Sequence, residues 1–241
     1  MPNLGTIRTA LRPVACTLAT PTLTDPTHIL LEGVSGAGAP DAALRAAFVD
    51  AAQGASVETR VHTFTGPYCA ALDALRAVAA LGDQPGAALR LSLRGNVSPL
   101  RKDERMVLQL TMPDFPAYLQ VDYLSSDGTM NHLLQDDGVK LRVWNGSWVD
   151  LGPSKTYAPG QRVIIGEPNK TAGFDGWKVG EPFGTDMVIA IASSVPLFAR
   201  VRPDDEGAAI YLRDLDAALR TDGARGVRLA TQAMVVDTAP R

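Results

Sequence analysis

Thr185-Asp186-Met187-Val188-Ile189-Ala190-Ile191-Ala192-Ser193-Ser194-Val195-Pro196-Leu197-Phe198 is the longest strongly apolar run in the chain. It is rich in β-branched residues and is closed by a proline. A strand with one wet face would alternate apolar and polar residues. An unbroken run of this length reads instead as a strand covered on both faces.

On its C-terminal side, Pro203-Asp204-Asp205-Glu206 leads into a helix over 208–220. Leu212, Leu215 and Leu219 form the apolar stripe of that helix, and the acidic residues ahead of it suit the helix dipole. Gly223 and Gly226 end it, and 227–236 alternates as a final strand. On the N-terminal side lies a long loop over 169–182, with Gly173, Gly176, Gly180 and Pro182. Long loops in compact domains carry function more often than short ones. Asn169, Phe174 and Trp177 are therefore candidates for a binding surface.

Upstream of the loop the pattern is one of short strands: 89–93, 105–111, 118–124, 130–134 and 163–165. Ser126-Asp127-Gly128-Thr129 reads as a hairpin turn between two of them. In Arg142-Val143-Trp144-Asn145-Gly146-Ser147-Trp148-Val149, Asn-Gly suits a two-residue type I′ turn, which would set Val143 opposite Trp148. Trp144 and Trp148 then serve either as an aromatic platform for a ligand or as packing.

The first third of the chain alternates strands and helices. Strands are expected over 14–19, 28–32 and 57–64, with 33–38 as a flexible glycine-rich connection. A helix starts near Asp41 and buries Leu44, Ala47, Phe48 and Ala51, with Gly54 as its left-handed stop. A second helix over 67–81 buries Leu72, Leu75 and Ala79. The turn cluster Asp83-Gln84-Pro85-Gly86 divides the chain into a small α/β unit, residues 1–85, and a β-rich unit with a C-terminal helix, residues 86–241. The fold class expected is α+β: a small α/β segment followed by a mainly antiparallel, sandwich-like β domain with a C-terminal helix and strand.

Composition narrows the function classes. A net charge of −3 over 241 residues leaves no basic footprint for nucleic acid. No run reaches the ~18 apolar residues of a membrane helix. The first residues lack the apolar core of a signal peptide, so an extracytoplasmic location would require an export signal outside this sequence. Two cysteines are too few for a disulfide scaffold. Cys16 and Cys69 either pack as buried thiols or pair, should the second helix lie across the first strand; the pair is the candidate disulfide.

Several segments of the second half resemble the bacterial family called domain of unknown function 4384. They are Tyr118-Leu119-Gln120-Val121-Asp122-Tyr123, Ser126-Asp127-Gly128, Tyr157-Ala158-Pro159-Gly160-Gln161 and the glycine-led strand Gly184 to Ser193 followed by Pro196-Leu197. The resemblance covers roughly residues 100–200. The segment Asn131-His132-Leu133-Leu134-Gln135 departs from the family's usual pattern after the Asp-Gly turn. The resemblance implies a β-rich accessory module of the kind appended to bacterial serine/threonine kinases or caspase-like peptidases. It carries no catalytic residues to this chain.

The residues themselves offer little enzyme chemistry. Gly33-Val34-Ser35-Gly36-Ala37-Gly38 lacks the second glycine of a nucleophile elbow and has the wrong spacing for a dinucleotide loop. His28, His62 and His132 are scattered, and Asp136-Asp137 and Asp204-Asp205-Glu206 lack the spacing of a calcium loop. No catalytic residue, metal or cofactor is expected. The reading is a non-enzymatic sensor or interaction module, periplasmic or otherwise extracytoplasmic, that binds a protein partner or a small envelope ligand. The alternatives are an assembly subunit of an envelope or secretion machine, a cytoplasmic location, and last a hydrolase using Ser35 with His62 as base.

Overall fold

The computed structural model describes residues 3–79, 89–95, 98–135, 140–142, 148–150, 156–171, 174–199 and 202–241. It opens with a helix that hydropathy did not reveal, α1 (Leu4–Leu11). Asn3 caps it, its side-chain oxygen accepting the N–H groups of Gly5 at 2.9 Å and Thr6 at 3.4 Å. That satisfies two of the donors a helix start leaves unpaired.

Strand β1 (Thr17–Asp25) pairs antiparallel with β2 (His28–Gly36), and helix α2 (Ala39–Ala52) crosses to β3 (Ser56–Phe64), which runs parallel to β2. Alternation along β2 sends Ile29 and Leu31 into a core with Ile7 and Leu11 of α1 and Leu44 and Phe48 of α2. Residues 33–36, expected as part of a flexible connection, are instead the last four of β2. Gly33 is there for contact: a Cβ on it would lie 2.2 Å from the Leu18 carbonyl oxygen. Gly54 holds the left-handed position expected of it past the end of α2, at φ 81°, and Gln53 before it, the C-cap, is left-handed as well at φ 49°.

Helix α3 (Cys69–Ala79) follows, and Cys69 is bonded to Cys16 in a disulfide. Cys16 sits just ahead of β1, not within it, in the left-handed region at φ 57°. The turn cluster at 83–86, and with it the expected boundary, lies outside the described residues.

The strands of the second half are β4 (Arg90–Leu93), β5 (Leu100–Arg101), β6 (Leu108–Thr111), β7 (Tyr118–Leu124), β8 (Thr129–Leu134), β9 (Lys140–Arg142), β10 (Trp148–Asp150), β11 (Arg162–Ile165), β12 (Thr185–Ser193), β13 (Asp205–Gly207) and β14 (Leu229–Ala239), with helix α4 (Ala208–Ala224) before the last. The strand expected over 105–111 is cut short because Arg105 and Met106 leave the ladder. They pair with Lys178 and Trp177 of the long loop instead. In the β9–β10 pair Arg142 stands opposite Trp148. That is one residue out of register with a two-residue Asn145-Gly146 turn, which would have placed Val143 there; residues 143–147 lie outside the described set.

The apolar run is β12, and eight of its nine residues are buried. It lies between β7 and β14 in a six-stranded sheet of order β13-β8-β7-β12-β14-β5. Its two faces serve two cores, as period-two geometry requires. Met187, Ile189 and Ile191 pack with Tyr68, Leu72 and Leu75 of the first half and with Tyr211, Leu215 and Leu219 of α4. Val188, Ala190 and Ala192 pack with Leu108, Leu110 and Val163 of the sheet β11-β6-β4. The result is an α+β fold in which one face of the central sheet meets a second sheet and the other meets helices. The first core is shared by both halves of the chain, and the Tyr68 hydroxyl donates across it to the Thr185 carbonyl. Asp186, buried near the start of this strand, accepts from the Tyr123 hydroxyl at 2.6 Å and the Ser126 N–H at 2.9 Å.

Candidate functional site

Three of the candidate binding-surface residues come together: Asn169 is exposed, and Phe174 and Trp177 are half-buried. Asn169 and Phe174 bond each other's backbone at 2.7 and 2.9 Å, so the long loop doubles back as a tight hairpin. The Phe174 ring meets Trp177 edge to face, with centroids 6.0 Å apart. Trp177 packs against the core between the two sheets, and its carbonyl accepts the Met106 N–H at 2.9 Å. The loop is thus pinned by its aromatic residues, which go to packing more than to display. Trp144 lies outside the described residues, and Trp148 is placed only by its backbone in β10.

Gly166 makes this packing possible. It sits at φ 88°, and a Cβ there would lie 2.4 Å from the Met106 carbonyl oxygen and 2.5 Å from the Trp177 ring. Replacing Gly166 with Ala is expected to cost about 2–4 kcal/mol, from left-handed strain plus displacement of the indole. Urea unfolding followed by tryptophan fluorescence measures it; an unchanged midpoint would mean the loop is not anchored here.

Ser35 and His62 do not meet. Their register partners are Thr63 and Val34, so the two side chains project from opposite faces of the β1-β2-β3 sheet. Ser35 is fully buried and donates to the Gly36 carbonyl at 3.2 Å, whereas His62 is exposed, 3.7 Å from Asp237. The expected hydrolytic pair is absent.

The third histidine belongs to a network that no local pattern announces. His132 on β8 is fully buried between two carboxylates: Nδ1 lies 2.6 Å from Asp122 of β7, and Nε2 lies 3.0 Å from Glu206 of β13. Tyr211 of α4 and Gln120 also donate to Asp122. Arg202 donates to Glu206 at 2.7 Å and to Asp214 at 2.9 Å. Burial alone would lower the His132 pKa. The Asp122 hydrogen bond and charge, followed by those of Glu206, outweigh it and raise the pKa. Burial likewise tends to raise Glu206, but its hydrogen bonds to Arg202 and His132 bring it below its ordinary value. Burial and the Asp122 charge push the Tyr211 phenol well up. Both imidazole nitrogens are occupied and sealed from solvent, so this network fastens strands to helix and offers no open coordination or proton-transfer position. Asp136 and Asp137 lie outside the described residues, and among the described residues no cluster of His, Cys, Asp or Glu is arranged to hold a metal ion.

An open surface of a different kind lies between α3 and α4. There a groove of about 670 Å³ has buried Ala74 and Leu212 at its base and reaches the end of α1 at Arg12. Arg76, Arg213 and Arg220 also line it, with Asp73 and Asp216, among the described residues. Arg213 and Arg220 are about three-quarters exposed and pair with neighbouring Asp214 and Asp216 on their own helix. Such exposed pairs are worth little, so an incoming anion can exchange with them. The sequence reading missed this groove because its cations come from three helices, each carrying one or two of them without local clustering. Comparison with protein-family models, curated proteins and solved structures finds no match for the chain.

Proposed function

We propose that the chain is a non-enzymatic interaction module acting outside the cytoplasm, the accessory or regulatory part of a bacterial signalling protein such as a serine/threonine kinase. Its groove between α3 and α4 takes an acidic segment of a protein partner. The observation that carries the binding part is that Arg213 and Arg220 line the groove about three-quarters exposed, each in a solvent-screened pair with an aspartate of its own helix, beside the apolar Ala74 and Leu212. The Cys16–Cys69 bridge supports an oxidising compartment, where disulfides persist. The family resemblance of the β-rich half supports the accessory role.

The test is fluorescence anisotropy with labelled peptides rich in Asp and Glu, against Lys-rich and Gly/Ser controls of equal length. Acidic peptides are expected to bind, with an affinity that falls as salt rises. Replacing both Arg213 and Arg220 with Glu is expected to weaken binding by more than about tenfold, the scale of a lost rim-charge complement. If acidic peptides bind no better than the controls, or if the double reversal leaves affinity unchanged, the assignment of the groove fails.

A further inference from the structure

The β1-β2-β3 sheet has two edges, and they are built differently. The β1 edge contains Pro21, and its pairing with β2 is irregular between Leu23 and Asp25. Prolines and irregularities are devices that discourage strand addition. β3 has neither over its nine residues, Ser-Val-Glu-Thr-Arg-Val-His-Thr-Phe.

The direction of its hydrogen bonds is fixed at both ends. Ser56 donates to the Thr27 carbonyl at 2.9 Å, and the Phe64 carbonyl accepts from Ala37 at 2.8 Å. Even-numbered residues therefore bond inward to β2. Bonding direction alternates along a strand, so Val57, Thr59, Val61 and Thr63 aim their N–H and C=O groups outward. Among the described residues no strand pairs with that edge. Val57 is also one of the large apolar side chains left exposed.

We infer that the β3 edge is an interface for a second copy of this chain, joined antiparallel about a two-fold axis at Thr59. The commitment to a second copy rests on self-complementary charge. With the axis at Thr59, Val57 faces Val61 of the second copy, and Glu58 faces Arg60 of the second copy; symmetry repeats both pairs. Moving the axis one residue back sets Glu58 against Glu58, and one residue forward sets Arg60 against Arg60. Like charges opposite each other destabilise a pair, so of these three registers the one centred on Thr59 is favoured. The two three-stranded sheets then form one continuous sheet of six. An isologous contact of this kind closes on itself and does not propagate into a fibre. It uses a different surface from the α3–α4 groove and stands or falls independently of it.

Sedimentation velocity on the full chain at about 100 μM, a concentration that populates weak complexes, is expected to show a species near twice 25.5 kDa. Glu58→Arg sets Arg against Arg60 of the second copy and is expected to shift the population to monomer. Glu58→Arg combined with Arg60→Glu restores opposite charges and is expected to restore the dimer. Both positions are exposed, so circular dichroism should show the same fold in all three proteins. Thr59→Cys is expected to form a covalent dimer under mild oxidation, while Thr24→Cys, on the other edge strand, is not. A wild type of single mass, a dimer indifferent to Glu58→Arg, a double variant that stays monomeric, or a Thr59→Cys protein that does not cross-link overturns the inference.

Discussion

Replacing Cys16 and Cys69 together with Ala is expected to lower stability by about 4 kcal/mol, the loop-closure entropy of a cross-link spanning 53 residues. In a chain of this size that corresponds to a fall in Tm of roughly 8–16 °C. The substitution isolates the cross-link well. Cys16 is held at φ 57°, and Ala meets the same left-handed conformation with the same Cβ, so backbone strain is nearly unchanged. The neighbourhood stays clamped as well: Asp73 of α3 accepts the Cys16 N–H at 2.8 Å, and Arg76 donates to the Val14 carbonyl at 2.6 Å. The bridge therefore acts mainly on the unfolded chain, by restricting it. Urea unfolding of the wild type, the wild type with reductant and the double variant measures the effect. The reduced wild type should match the variant. A midpoint that moves by less than the experimental error in both would show that the cross-link does not stabilise the fold through loop-closure entropy.

What the sequence revealed and what it hid divide along a physical line. The β12 run was legible because full burial on both faces demands an unbroken apolar strand, and that pattern is local. The β7–β8 hairpin was legible for the same reason: Asp127 and Gly128 supply the turn, and the Ser125 N–H bonds the Thr129 carbonyl as a closed turn requires. Helix α1 was not, because its eight residues bury only Ile7 and Leu11, too sparse a stripe to stand out. Gly33 misled because a glycine pressed against a neighbouring strand and a glycine in a loop look alike in sequence. Trp177 was a candidate for a binding surface because it lies in a long loop, and the packing of its side chain is settled by Met106 and Gly166 of distant segments. His132 was the least legible. Its partners Asp122 and Glu206 lie 10 and 74 positions away, and Tyr211 is 89 from Asp122. Only the order β13-β8-β7 and the docking of α4 bring them together. One local sign existed, Asp122 inside the largely buried strand β7, because a carboxylate in a covered strand requires a partner.

That requirement gives the largest single-residue effect expected in this protein. Asp122→Asn keeps the shape but removes the charge that holds the His132 imidazolium and the acceptor that takes the Tyr211 hydroxyl. Breaking one side of a buried pair costs about 3–5 kcal/mol, because the remaining charge stays buried without its complement. Tyr211→Phe, which leaves a satisfied charge pair, should cost about 1.5–3 kcal/mol, the scale of a hydrogen bond to a charged group. The pH dependence separates this account from simple loss of packing. The His132 pKa is raised from its ordinary 6.5, so its contribution is complete below that value and is lost as pH rises through the folded-state pKa. The Glu206 pKa is lowered from its ordinary 4.5, so its contribution is present above 4.5 and is lost as pH falls through the folded-state pKa. The network is therefore strongest between pH 4.5 and 6.5. Wild-type stability should decline from about pH 5.5 to about pH 9, and Asp122→Asn should flatten that decline as the cause of the raised histidine pKa is removed. Urea titrations at the two pH values for both proteins decide it. Parallel declines in the two would mean that His132 titrates at its ordinary value in the fold, and that the two carboxylates at 2.6 and 3.0 Å do not hold its proton.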